Sequence, residues 1–152
     1  MKTGEKKIVT VIGGSGFIGS HVADQLSEEG YHVRIFDRKT SRWKKENQEM
    51  IVGDMLDNDL LNKVMVGSEI VYNFAALADL DQAKNKPHET VELNILGNIK
   101  VLEACRVNNV KRFIFASTVY VYSREGSFYR CSKQAAESYI EEFQNVYNLD
   151  YT

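Results

Sequence analysis

Short apolar runs alternate with longer amphipathic segments along this chain of 152 residues. The apolar runs are rich in Val, Ile and Phe and hold few charges, which is typical of strands buried on both faces. Strands are therefore predicted at Lys7–Gly13, His32–Phe36, Glu49–Val52, Glu69–Phe74 and Arg112–Ala116, and the start of a sixth strand is predicted at Leu149–Thr152.

The longer segments repeat apolar residues three and four positions apart, which is typical of helices that pack on one face. They predict helices from Phe17 to about Glu29, Asp57 to about Val66, His88 to about Asn108, and about Ser127 to Asn148, with a partly helical stretch before Pro87. Because strands and helices alternate, we expect a parallel sheet covered by helices on both faces. Right-handed crossovers then predict a three-layer α/β/α fold, a doubly wound Rossmann-type sheet with strand order 3-2-1-4-5.

The composition is that of a globular protein, with 43% hydrophobic and 26% charged residues. The length predicts a single domain over residues 1–152. A net charge of −2 with both signs spread along the chain argues against nucleic acid or a membrane surface as the main partner. No apolar run approaches the roughly 18 residues of a membrane span, and the N-terminus has no signal-peptide core. We therefore expect a cytoplasmic protein with no metal site, whose cysteines, Cys105 and Cys131, are reduced thiols.

A glycine-rich turn follows the first strand and opens directly into the first helix. Two patterns fit it at once, Gly14-x-Gly16-x-x-Gly19 and Gly13-x-x-Gly16-x-x-Gly19. Such glycines make a tight turn, let the backbone approach a pyrophosphate and let the helix pack close to the strand. The N-terminus of the helix would offer free N–H groups to the phosphates. The pattern indicates a dinucleotide site, although a plain connecting turn can carry the same glycines.

Acidic residues stand at the carboxyl ends of the second and third strands. Asp37 lies about 20 residues beyond the glycine turn, where an acid binds the adenosine ribose hydroxyls, and the alternative is a solvated strand-end acid. A carboxylate there favours NAD over NADP, although the adjacent Arg38 could bind the 2′-phosphate. Asp54 could reach an adenine amino group, or it could cap the next helix, for which Asp57 is better placed.

The segment Tyr129-x-x-x-Lys133 is the strongest candidate for catalysis. On a helix these two residues lie one turn apart on the same face. Lowering a tyrosine pKa from about 10 to about 7 takes roughly 4 kcal/mol, which the lysine ammonium and an oxidised nicotinamide could supply. Thr118, or else Ser117, could bind a substrate oxygen at the end of the fifth strand. The alternatives are a surface Tyr–Lys pair and a turn hydroxyl.

Two further features are weaker. Ala75 and Ala76 follow the fourth strand, where small residues let the backbone approach a cofactor. Asn94 and Asn98 lie four apart on the long helix, where they could bind backbone groups of the active-site loop or simply face solvent.

Seven ordered motifs together resemble a known family. They are Gly13-x-x-Gly16-Phe17-Ile18-Gly19, Asp37, Gly53-Asp54, Asn73-Phe74-Ala75-Ala76, Asn94-x-x-Gly97-Asn98, Ser117-Thr118-x-x-x-Tyr122 and Tyr129-x-x-x-Lys133. The chain resembles the extended short-chain dehydrogenases/reductases, within their NAD-dependent nucleotide-sugar epimerase/dehydratase group. The resemblance runs from Lys7 to Thr152.

This resemblance implies a mechanism and a cofactor site. Tyr129 would act as the base on a sugar hydroxyl during hydride transfer to NAD, Lys133 would lower the tyrosine pKa and hold the nicotinamide ribose, and Thr118 would bind the reacting oxygen. The implied cofactor-binding residues are Gly13, Gly16, Phe17, Ile18, Gly19, Asp37, Arg38, Asp54, Met55, Phe74, Ala75, Ala76, Asn94, Tyr129 and Lys133.

The resemblance also implies partners. The substrate would be a nucleotide sugar. Two subunits would pair through the long helix and the Tyr–Lys helix, for which Val91, Ile95, Tyr139, Ile140 and Phe143 are suitably apolar.

Two departures from the family pattern leave alternatives open. Members of the family continue into a C-terminal substrate domain, which we expect to be missing here. Only ten residues separate Thr118 from Tyr129, and Ser123 replaces an expected glycine, so part of the active-site loop is shortened. The chain is therefore predicted to be an epimerase, or else an NAD-binding module without turnover, or a dehydratase or reductase. Val119 and Tyr120 stand where dehydratases of this group carry an Asp-Glu pair, which favours an epimerase.

Overall fold

A single parallel sheet organises residues 6–152, which are the residues described by the computed structural model. Its strands are β1 (Ile8–Ile12), β2 (His32–Asp37), β3 (Glu49–Val52), β4 (Ser68–Asn73), β5 (Arg112–Phe115) and β6 (Asp150–Tyr151). They lie in the order β3-β2-β1-β4-β5-β6, and every neighbouring pair is parallel. The predicted Rossmann-type order is confirmed, and the sixth strand extends the sheet beyond β5. Residues 1–5, where no signal peptide is expected, lie outside the described residues.

Helices connect the strands. They are α1 (Phe17–Glu28), α2 (Asn58–Met65), α3 (Leu80–Asn85), α4 (Pro87–Thr90), a π-helical segment (Val91–Gly97), α5 (Asn98–Val107), a 3₁₀ turn (Val119–Tyr122) and α6 (Ser127–Tyr147). In this part of the chain, no helix combines the length and the apolar character needed to cross a bilayer.

The predicted long helix has an irregular middle. Backbone angles stay right-handed helical through Thr90 and Gly97, so α4, the π-helical segment and α5 form one continuous rod. Pro87 occupies the first turn of this rod, where its missing N–H costs nothing. A π-helical stretch widens the helix by one residue per turn and is frequent at functional sites.

Apolar side chains on the two faces of the sheet form two separate clusters. Val11 belongs to a cluster with Val33 and Ala23 of α1, whereas the next residue, Ile12, belongs to a larger cluster with Leu61 and Leu102 of α2 and α5. Alternate residues of β1 therefore point to opposite layers, as a strand requires. The three-layer prediction is confirmed by these clusters.

The carboxyl ends of four strands meet at one edge of the sheet. Ile12, the last residue of β1, is aligned with Phe36 of β2 and with Asn73 of β4, and Asn73 is aligned with Phe115 of β5. The residues that follow these strands are consequently brought to the same edge. This alignment positions the candidate site.

Candidate functional site

A cleft of about 190 Å³ opens at this edge, where β1 lies between β2 and β4. It is lined by Ile12, Gly13, Gly16, Phe36, Asp37, Arg38, Gly53, Met55, Phe74, Ala75, Ala76 and Leu93. Eight of these residues belong to the predicted cofactor set: Gly13, Gly16, Asp37, Arg38, Met55, Phe74, Ala75 and Ala76. From β1 the chain adds β2 and β3 on one side of the sheet and then β4, β5 and β6 on the other. Ligands of doubly wound sheets bind at the point where the strand order reverses in this way.

Two glycines, of which Gly13 lines the cleft, allow backbone segments to pack closely beside it. Gly13 has a φ of +75°, and a Cβ there would lie 2.6 Å from the backbone nitrogen of Ala75. A Cβ on Gly19 would lie 2.3 Å from the carbonyl oxygen of Gly13. No side chain fits at either position, so the glycine turn, the loop after β4 and the start of α1 touch each other directly.

The first turn of α1 is open to a ligand. Gly16 is extended at the N-cap position, and no side chain caps the N–H groups that follow it. Such uncapped groups at a helix N-terminus favour an anion. The side chains of Phe17 and Ile18 are exposed, at 80% and 59%, and neither residue lines the cleft.

Asp37 ties the end of β2 to the glycine turn. Its carboxylate accepts a hydrogen bond from the backbone N–H of Ser15 at 3.0 Å and another from that of Lys39 at 3.1 Å. The Ser15 hydroxyl donates to the Lys39 carbonyl at 2.6 Å. Asp37 therefore orders the turn and also lines the cleft beside Arg38.

The loop after β3 brings Met55, but not Asp54, into the cleft lining. The Asp54 carboxylate accepts a hydrogen bond from the backbone N–H of Leu56 at 2.9 Å. The capping residue of α2 is Asp57, whose carboxylate accepts from Leu60 N–H at 3.0 Å. Asp54 thus shapes its own loop without capping the helix.

Lys133 is buried against the end of β5. Its side chain is 2% exposed, and Nζ donates a 2.7 Å hydrogen bond to the carbonyl of Ala116. The ammonium also lies 4.4 Å from the ring centre of Phe115 and 5.7 Å from that of Tyr129, within range of cation–π attraction. Burial lowers the pKa of Lys133 to about 8, and the carboxylate of Glu137 partly opposes this effect.

The phenol of Tyr129 lies in partly apolar surroundings. Burial, assisted by Tyr120, raises its pKa above the ordinary value near 10, and the lowering expected from Lys133 together with a bound nicotinamide stays a prediction. The burial arises because the ring packs on an apolar cluster that includes Leu77 and Leu93. In addition, the lysine ammonium donates to a backbone carbonyl and not to the phenol oxygen.

Thr118 begins the 3₁₀ turn. Its hydroxyl accepts a long hydrogen bond, 3.4 Å, from the backbone N–H of Tyr120. The neighbouring Ser117 hydroxyl donates to the carboxylate of Glu137 on α6. Across residues 6–152, no hydrogen bond joins the side chain of Thr118 to that of Tyr129 or Lys133. The structure thus brings Tyr129 and Lys133 together as neighbours on α6 and leaves Thr118 in its own turn.

Asn94 is buried in the π-helical segment, where it joins three elements. Its side-chain amide donates to the Leu77 carbonyl at 3.1 Å and to the Ser132 hydroxyl at 2.9 Å, and its oxygen accepts from Leu77 N–H at 2.7 Å. Asn98, also buried, accepts from Asn73 at 2.9 Å. The alternative of a solvated polar face is therefore wrong for both asparagines.

Among the residues of this region that escaped the sequence reasoning are one that lines the cleft and two that lie on α6. Leu93 lines the cleft, Ser132 links Asn94 to the Tyr129 carbonyl, and the Glu137 carboxylate raises the pKa of Lys133, which lies one helical turn away. A signal existed for Ser132 and Glu137, because each stands on α6 at a helical spacing of three or four residues from a candidate catalytic residue. Leu93 carried no such signal, because a leucine is ordinary in any helix.

The predicted dimer face is only partly available. Ile140 and Phe143 are 2% and 7% exposed and belong to the larger core cluster, so their expected role in subunit pairing is wrong. Val91 and Tyr139 are 53% and 47% exposed, and Ile95 is half-buried.

Comparison with known proteins defines the class. Residues 9–152 match the model of the NAD-dependent epimerase/dehydratase family, and the chain belongs to this family. Among its relatives, UDP-glucose 4-epimerase of Yersinia pestis is 36% identical over 75% of this chain and 37% of the relative.

Solved structures of the same class superimpose closely. UDP-glucose 4-epimerase of Thermotoga maritima, solved with UDP-glucose, has a TM-score of 0.89 and 29% identity, covering 95% of this chain and 53% of that one. The enzyme of Brucella ovis, solved with NAD, has a TM-score of 0.88 and 29% identity, covering 95% of this chain and 50% of that one. The chain spans about half the length of these two proteins.

Proposed function

We propose that this chain holds NAD at the carboxyl edge of its sheet and serves the epimerisation of a nucleotide sugar. The observation that carries the proposal is the convergence of eight predicted cofactor residues on one cleft at the switch point beside β1. The family match and the NAD bound to the similar Brucella ovis enzyme support the choice of cofactor. When bound, NAD supplies the acceptor and donor of hydride.

The residues present fit this cofactor. Gly13 lines the cleft without a side chain, Gly19 lets α1 begin directly against the glycine turn, and the uncapped first turn of α1 suits a pyrophosphate. Asp37 would hold the adenosine ribose hydroxyls, and Met55 would line the adenine end. Lys133 would bind the nicotinamide ribose.

We propose NAD over NADP because a carboxylate at the end of β2 repels a 2′-phosphate. Asp37 is fixed there by two backbone N–H groups, so it cannot readily turn away. Arg38 lines the same cleft and is the residue that would favour NADP. The ratio of the affinities for NAD and NADP tests which of the two side chains determines the cofactor preference.

At the substrate end, Tyr129 would exchange a proton with a sugar hydroxyl, and Thr118 would bind the reacting oxygen. Near neutral pH the Lys133 ammonium is mostly protonated, since its pKa is about 8. A positive charge beside the phenol ring favours the phenolate and would offset the effect of burial on Tyr129. The substrate class is supported by the UDP-glucose bound to the Thermotoga maritima enzyme.

A second candidate function is an NAD-binding module without turnover. One observation favours it: among the described residues, no hydrogen bond joins the side chains of Thr118 and Tyr129. A dehydratase or reductase also remains an alternative, because the family itself contains dehydratases.

We further propose a cytoplasmic homodimer. The exposed apolar side chains of Val91 and Tyr139 lie on the two helical regions predicted to pair. Sedimentation at micromolar concentration should show a dimer, and a monomer alone would contradict the assembly. Fractionation of cells that express the native protein should place it with the cytoplasmic enzymes.

One experiment separates the functions. The purified chain is analysed by mass spectrometry and absorbance for NAD carried through purification, and then assayed for conversion of UDP-glucose. Bound NAD together with sugar conversion supports the epimerase. Bound NAD without conversion supports the module, and failure to bind NAD contradicts both.

A further inference from the structure

Two side-chain contacts join α6 to the loop that follows β5. Lys133 donates to the carbonyl of Ala116 at 2.7 Å, and the hydroxyl of Ser117, the next residue of that loop, donates to the carboxylate of Glu137. Lys133 and Glu137 lie one helical turn apart. Consecutive residues of the loop are therefore held by consecutive turns of the helix.

We propose that Glu137 is a positioning residue for Lys133, which it serves by anchoring the loop through Ser117 and by placing its negative charge one helical turn from the lysine. The contact with Ser117 restrains the peptide whose carbonyl receives the lysine. Two anchors spaced by one turn resist the sliding and the rotation that a single hydrogen bond would allow. The consequence for NAD rests on the proposed function, but the effect on Lys133 does not.

The charges around the lysine support this role. Lys133 is almost fully buried, so its ammonium has lost most of its hydration, and burial brings its pKa down to about 8. The groups that face it from the end of β5 and the loop that follows are neutral, namely the Phe115 ring and the Ala116 carbonyl. On its own helix, Tyr129 is neutral because its pKa is raised, and Glu137 raises the pKa of the lysine. Within residues 6–152, Glu137 is thus the anionic group identified as acting on this ammonium.

The setting of Glu137 permits a clean test. It lines a surface groove together with Ser117 and Glu141, which stands one turn further along α6. Glu141 is exposed and makes no hydrogen bond or ion pair with any residue of the described part of the chain. Glu141→Gln is therefore a matched control with the same charge change on the same helix.

The first measurement is the titration of Lys133 in the 152-residue chain. It is monitored through the NMR signals of ¹³C-labelled lysine, and the Lys133 signal is assigned by its absence from the spectrum of Lys133→Arg. In Glu137→Gln the titration midpoint should fall by roughly 0.5–1 pH unit, because the amide can still accept from Ser117 but the charge is gone. Glu141→Gln should leave the midpoint in place. A midpoint that is unchanged in Glu137→Gln overturns the proposal.

A second variant tests the hydrogen bond between Ser117 and Glu137. Ser117→Ala keeps the carboxylate but releases it towards solvent, so it should lower the midpoint in the same direction by a smaller amount. If Ser117→Ala leaves the midpoint unchanged, the anchoring role is wrong. Thermal unfolding of each variant confirms that the chain remains folded.

The second measurement is the dissociation constant for NAD across the titration range. In Glu137→Gln the affinity should match that of the unaltered chain near pH ~6.5 and should be roughly three- to tenfold weaker near pH ~8.5, where the variant lysine is neutral. A loss that is equal at both pH values indicates a structural role only and overturns the proposal. Failure of the unaltered chain to bind NAD contradicts the proposed function, whereas the titration still tests Glu137.

Discussion

Asn94 holds both backbone groups of Leu77, accepting its N–H at 2.7 Å and donating to its carbonyl at 3.1 Å. One side chain in the π-helical segment thereby gives hydrogen-bond partners to the backbone N–H and carbonyl of a buried residue that belongs to no helix or strand. The same amide reaches Ser132 on α6. The Asn94 side chain therefore links the loop after β4, which lines the cleft, to α6, which carries Tyr129 and Lys133.

Replacing Asn94 by Ala should destabilise the chain by about 2–3 kcal/mol, because the two Leu77 groups would be buried without partners. Chemical denaturation measures this free energy of unfolding. Asn145→Ala is the control: Asn145 is exposed and makes one weak contact, so its removal should cost less than about 0.5 kcal/mol. Equal stability of the two variants would contradict the supporting role of Asn94.

Replacing Gly13 by Ala should both destabilise the chain and remove NAD binding. The new Cβ would lie 2.6 Å from Ala75 N, in a backbone conformation that already disfavours side chains. Gly30→Ala is the control that separates the strain of a positive φ from the steric clash. Gly30 has a φ of +93° but open space around it, so its substitution should lower the free energy of unfolding by only about 1–2 kcal/mol. We expect Gly13→Ala to cost clearly more in the free energy of unfolding, and a cost equal to that of Gly30→Ala would be evidence against close backbone contact beside the cleft.

Replacing Asp37 by Ala should weaken NAD binding by roughly tenfold or more and reduce the preference over NADP. It removes the proposed ribose acceptor, a charge opposed to the 2′-phosphate and two hydrogen bonds that order the turn. Calorimetric titration with each cofactor measures both effects. Asp59→Ala, at an exposed position in α2, should change neither, and unchanged NAD affinity in Asp37→Ala would contradict the ribose assignment.

Tyr129→Phe should leave NAD binding nearly intact and abolish conversion of UDP-glucose, if the chain catalyses it. The substitution removes only the phenol oxygen, and the ring still packs on its apolar cluster. Tyr139→Phe, on the exposed part of the same helix, is the matched control and should retain activity. Conversion by Tyr129→Phe at an undiminished rate would show that another group exchanges the proton.

The buried Lys133 should make stability depend on alkaline pH. Its pKa falls from 10.5 to about 8 on folding, so between these values the unfolded chain binds the proton that the folded chain has lost. The free energy of unfolding should therefore rise with pH over this window, by up to about 3 kcal/mol in total. Lys133→Met should remove the rise. Lys84→Met, at an exposed lysine, should retain it, and a flat profile in the unaltered chain would count against a lowered lysine pKa.

Much of the fold follows from features that are local in sequence. Each apolar run of the sheet ends in a small or polar residue, as at Gly13 and Asp37, and the alternation of runs with amphipathic segments determines a parallel sheet. Strand order and the location of the cleft follow from general rules of handedness and connection. The structure moves the predicted strand boundaries by about one residue.

What could not be predicted depends on packing between distant segments. The π-helical segment keeps the apolar spacing of an ordinary helix, so its widening leaves no mark on the pattern around Asn94. The apolar stripe of α6 shows that Ile140 and Phe143 are covered, but it does not say whether the chain's own sheet or a second subunit covers them. The pKa of Tyr129 depends on Leu77 and Leu93, which come from other parts of the chain.

The close contact between Gly13 and Ala75 has a consequence for how this cleft can change over evolution or in design. At Gly13 the cleft is lined by backbone, which offers no side chain to exchange. Asp37 and Arg38 carry the charged side chains of the cleft lining, so changes in cofactor preference are expected at these two positions. An effort to redirect the chain towards another dinucleotide should vary these two positions and leave the glycine turn untouched.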